Sequence, residues 1–125
     1  MIVIVGRSSA DKVDRHLILM PYPEGETEVE VANPERTSGC KMLVSTAELR
    51  ALAKQGNSVF GTINGHSPTG PSAQMIVKET DDPGIVGVYV CPIEWDEGGE
   101  AIEKNGGWAI RIRMIDWQRF LDNIK

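Results

Sequence analysis

The chain has 125 residues, 41% hydrophobic and 25% charged, with a formal net charge of -5. That length suits a single globular domain over residues 1–125 with enough buried surface to fold without staples, and the composition excludes disordered and fibrous classes. The acidic balance argues against direct nucleic acid binding, which rests on lysines and arginines displacing counterions, and no apolar run has the length of a signal peptide or membrane span, so a cytoplasmic protein is expected.

Residues 2–5 (Ile, Val, Ile, Val) read as a short buried strand. The following Gly6, Arg7, Ser8 and Ser9 lack the Gly-Lys-Ser or Gly-x-Gly-x-x-Gly continuation that a phosphate loop needs. Residues 16–20 form a second strand, stopped by Pro21, Pro23 and Gly25. Residues 26–32 alternate Glu26, Glu28 and Glu30 with Thr27, Val29 and Val31, the pattern of an antiparallel strand with one wet face. A strand over residues 41–44 leads into Ser45, Thr46, Ala47 and Glu48, a Ser-x-x-Glu capping box that predicts a helix over residues 46–55.

Residues 58–63 read as a strand. From Gly61 to Ala73 the chain is rich in Gly, Pro, Ser, Thr and Asn and reads as a long loop, a feature often functional or disordered. Residues 74–79 and 85–93 are strands flanking a tight turn, and the second has a near-continuous apolar run that suits a central strand covered on both faces. Its Pro92 implies a bulge or an edge position. Residues 100–104 suggest a minor strand hairpinned by Asn105 and Gly106. Residues 108–114 alternate Trp108, Ile110, Ile112 and Met114 with Ala109, Arg111 and Arg113. Asp116 then reads as the cap of a helix over residues 116–124, whose Trp117, Phe120, Leu121 and Ile124 share one stripe.

The fold expected is α+β: a mostly antiparallel, curved sheet of six or seven strands with two short helices packed on it, a barrel-like sheet being the alternative. Because Glu26, Glu28 and Glu30 repeat with the same period as Arg111 and Arg113, those two strands are expected to be sheet neighbours.

No catalytic, metal or nucleotide signature is present, and no cofactor is implied. Cys40 and Cys91 have no second Cys or His beside them, which fits reduced core thiols. Cys40 is weighed as a nucleophile, but only Arg36 and Lys41 stand near it to stabilise a thiolate. The most one-sided stretch runs between Lys78 and Lys104, with eight acids and no base. It contains Glu94, Trp95, Asp96, Glu97 and Glu100, an aromatic anchor in an acidic rim, the composition of an interface hot spot for a basic partner.

The expected function is therefore that of a small acidic binding protein, inhibitor-like or immunity-like, that engages a basic protein through this loop. The competing class is a binder of nucleotides or phosphorylated metabolites, or an enzyme, using the 61–73 loop with Asn64, His66, Ser67 and Thr69.

Overall fold

Alternation decides which side of each strand is buried, and here strand pairing closes the sheet on itself. The computed structural model describes residues 1–8, 12–53 and 60–124. The described elements are β1 (Ile2–Arg7), β2 (Asp14–Pro21), β3 (Glu26–Ala32), β4 (Gly39–Ser45), α1 (Thr46–Ala53), β5 (Gly61–His66), β6 (Ser72–Glu79), β7 (Ile85–Trp95), β8 (Ala101–Glu103), β9 (Trp108–Arg113) and α2 (Met114–Asn123). Two antiparallel meanders, β1 to β4 and β5 to β7, are joined by β4–β5 pairing on one side and through β9 on the other. Because β6 also pairs with β7, eight strands form a closed antiparallel ring, and β8 pairs with β7 outside it.

The ring is filled by its own side chains. Leu17, Leu19, Val29, Val31, Met42 and Val44 from the first meander meet Met75, Val77, Val86, Val88, Ile110 and Ile112 in one buried cluster. An eight-stranded ring has an interior of about the width such residues occupy. The helices leave from the ends of β4 and β9 and add Leu49, Leu52, Trp117, Phe120 and Leu121 to the same cluster. The Ser45 hydroxyl accepts from the Glu48 amide at 3.4 Å, and the buried hydroxyls of Thr27 and Thr46 lie 2.8 Å apart, fastening α1 to β3.

Two seams close the ring by one residue pair each, Arg7 with Arg111 and Leu43 with His66. Both need a glycine. A Cβ at Gly6 would collide with the carbonyl oxygen of Arg111, and one at Gly65 with that of Leu43, so backbone approaches backbone where the curvature is sharpest.

Several expectations change. The sheet has nine strands rather than six or seven, and the 61–73 stretch is no long loop. It is the β5–β6 hairpin, registered from Gly61 opposite Val77 to His66 opposite Ser72, with a turn tied by Ser67 N–H to Pro71 O at 2.7 Å. Ser58 and Val59, the expected start of that strand, lie outside the described residues, as do Lys54, Gln55 and Gly56 at the end of the first helix.

Strand β1 is less buried than its apolar run implies: Ile4 faces the core while Ile2, Val3 and Val5 are exposed. Helix α2 starts at Met114, two residues before Asp116, whose carboxylate instead holds Arg113 at 2.9 Å. The acidic stripe of β3 and the basic stripe of β9 are not neighbours. Strand β3 pairs with β2 and β4, whereas β9 pairs with β1 and β7. Pro92 does mark a break, since β7 pairs with β9 only up to Val90 and with β8 only from Ile93.

Candidate functional site

Strand β7 continues past the ring. Its pairing with β6 ends at Pro92 opposite Ala73, so among the described residues the backbone of Ile93, Glu94 and Trp95 pairs with β8 alone, and the two form a hairpin arm that extends beyond the ring's ladders. Every residue from 94 to 106 is exposed. The tip is nonetheless ordered by its own bonds. Asp96 N–H donates to Glu100 O at 2.9 Å, Glu100 N–H donates to Asp96 Oδ1 at 2.8 Å, and Gly99 takes the left-handed conformation (φ 81°) that the turn requires.

Register distributes the side chains over both faces. Trp95 lies opposite Ala101 and Ile93 opposite Glu103 on one face, while Glu94 lies opposite Ile102 on the other. Trp95 and Ile102 are each 49% exposed, so both faces carry an apolar group. The indole is tethered as well as exposed, since its N–H donates to the Ser72 hydroxyl at 3.2 Å. Such a side chain has part of its ordering cost met before any partner arrives.

The carboxylates divide by what they already hold. Glu94 faces Lys104 at 3.5 Å, Glu103 accepts from the Tyr89 hydroxyl, and Asp96 caps the turn. That contact with Glu103, with burial behind it, raises the Tyr89 pKa strongly. The side chains of Glu97 and Glu100 make no ion pair with a described residue. Glu103, Ile102 and Tyr89 were not singled out as site residues from the sequence. The Asn105-Gly106 signal and the two-residue period of 101–103 were their only trace.

The residues of the competing site are placed differently. Asn64 and His66 share the outer face of β5, Asn64 accepting from the Gln74 side-chain amide at 2.9 Å, while the hydroxyls of Ser67 and Thr69 in the turn lie 3.0 Å apart. His66 has both ring nitrogens engaged: Nδ1 lies 2.9 Å from Ser67 O and Nε2 lies 3.1 Å from Glu26 Oε2. Those contacts, the backbone carbonyl first and Glu26 second, raise its pKa by favouring the doubly protonated ring. A carboxylate therefore stands beside His66. It clamps the ring and leaves no nitrogen facing a substrate.

Neither thiol is activated. Burial pushes Cys40 up, and Cys91, buried in β7, is pushed up to about 11 by burial and then by Glu103, the opposite of what a nucleophile requires. Among the described residues no group of three or more His, Cys, Asp or Glu side chains is arranged to hold a metal ion.

Concavities lie on the outside of the ring. A cleft of about 790 Å³ follows the β1–β9 seam between Val5, Arg7, Arg111 and Arg113, with Asp81 and Asp82 on its rim. Its arginines already hold carboxylates: Arg111 bonds Asp81 at 2.8 Å, and Arg113 bonds Asp116 at 2.9 Å. A groove of about 500 Å³ crosses Gly87 and Ala109 between Tyr89 and Lys78. No described helix is long and apolar enough to cross a membrane. No protein-family model matches the chain, and neither a curated protein nor a solved structure does.

Proposed function

We propose that this is a cytoplasmic binding protein, inhibitor-like or immunity-like, whose β7–β8 arm inserts into a basic groove of a protein partner. One observation carries the reading: the arm places tethered, half-exposed Trp95 among Glu94, Asp96, Glu97, Glu100 and Glu103 on a hairpin that the barrel does not need for closure. Apolar groups on both faces and charge at the tip suit a cleft that grips a hairpin rather than a flat surface. Buried aromatics supply most of the affinity at such contacts, and the surrounding charge supplies steering and selectivity. A small-ligand or enzymatic role at His66 is less well supported, because the ring is committed to Ser67 and Glu26.

The test is affinity capture from cytosol with immobilised wild-type protein beside a Trp95→Ala/Glu97→Lys variant, quantified by mass spectrometry. Basic proteins retained by the wild type should be lost from the variant and eluted by moderate salt. Equal retention by both proteins would overturn the reading.

A further inference from the structure

Natural sheets protect their free edges with charges, prolines or bulges. Strand β8 follows that rule, with Glu103 on the strand and Glu100 and Lys104 flanking it. Strand β1 does not. Only Arg7 pairs with β9, so the edge of residues 2–5 that faces away from β2 has no ladder partner among the described residues, and those residues are Ile, Val, Ile and Val. Of the nine large apolar side chains left exposed among the described residues, four are Met1, Ile2, Val3 and Val5, with Val5 62% exposed. A fifth, Ile115, stands where β9 turns into α2 beside Arg113.

We infer that this edge is a dimer interface: β1 pairs antiparallel with β1 of a second copy, extending each barrel's sheet into the other. Charge selects the occupant. No charged residue lies between Ile2 and Gly6, so a twofold antiparallel pair buries none. The flanking surface carries ion pairs of both signs, Arg7 with Asp14, Arg111 with Asp81 and Arg113 with Asp116, which favours neither an acidic nor a basic partner. An identical surface meets it without a single-sign mismatch. Pairing would satisfy the outward amides and carbonyls of residues 2–5 and cover Val3 and Val5. This interface is independent of the arm.

Sedimentation velocity over a wide dilution series tests it. The wild-type protein should pass from its 13.7 kDa monomer to a species of twice that mass as concentration rises. Added salt should strengthen the dimer, because two copies of net charge -5 repel while the contact is apolar. Val5→Lys and Val5→Glu should each sediment as monomers with unchanged circular dichroism, and an equimolar mixture of the two should recover the dimer. Monomer at every concentration would overturn the inference, as would a dimer that persists in both single variants or that Trp95→Ala abolishes.

Discussion

On β3, Glu26, Glu28 and Glu30 stand within reach of His66 at 3.1 Å, Lys41 at 3.2 Å and Arg36 at 2.6 Å, each cation brought in by the sheet or by the turn that follows it. On the arm, only Glu94 of the five carboxylates has an ion-pair partner among the described residues, Lys104 at 3.5 Å, and the aromatic among them is left half in water. The same residue type thus has opposite standing in the two places. Inside a closed ring every outward row has neighbours on two strands, so an acidic stripe acquires cations and becomes part of the scaffold. An arm held by one partner strand has no such rows, and its charge stays available to another molecule.

The widest separation between the two regions is expected in binding. Trp95→Ala with Glu97→Lys should weaken capture of a basic partner by at least about thirtyfold, in line with the roughly 2 kcal/mol or more that a hot-spot aromatic contributes together with a reversed charge. Asp96 is less suited to that test, because its carboxylate caps the turn at Glu100 N–H and its loss would distort the arm itself.

The reverse behaviour is expected on β3. Glu30 is nearly buried and holds Arg36, whose guanidinium remains partly exposed and rehydrates when the carboxylate is lost, so Glu30→Ala should cost about 1 kcal/mol in urea denaturation while leaving capture intact. A Glu30 variant with native stability would break the distinction.

A smaller effect sharpens it. The raised pKa of His66 means that the folded state holds this proton more tightly than the unfolded chain. The stabilisation is fully present below the unfolded value near 6.5 and is lost as pH rises through the higher folded value. Both partners are about half exposed, so solvent screening limits the contribution to about 0.5 kcal/mol. Denaturation midpoints should fall slightly from pH 6 to pH 8, and Glu26→Gln should flatten that slope. The smallest change is expected from Glu97→Lys and Glu100→Lys, which should leave stability within about 0.5 kcal/mol of the wild type.

Much of the ring was legible from alternation. The two-residue period of β3 and β9 placed Val29, Val31, Ile110 and Ile112 correctly in the core, and Ser45 with Glu48 located the start of α1. What escaped has identifiable causes. Gly65, Ser67, Gly70 and Pro71 resemble loop residues, but Gly65 lies in a strand because only a glycine can pass the Leu43 carbonyl. The expected pairing of β3 with β9 used charge period alone, which cannot tell adjacent strands from strands on opposite walls of a ring. Burial of β1 was overread because a run of Ile and Val looks alike whether or not a neighbour covers it. For the arm, the acids and Trp95 were visible, whereas their division between two faces depends on the register of Glu94 with Ile102.

The most direct test of the proposed docking role of the arm is an NMR titration of ¹⁵N-labelled protein with a lysine- and arginine-rich peptide at low and moderate salt. Shifts confined to residues 93–104 and the Trp95 indole N–H, and reduced by salt, are the expected result. Shifts centred on Glu26, Glu28 and Glu30, or an indole resonance that does not move at saturating peptide, would contradict it.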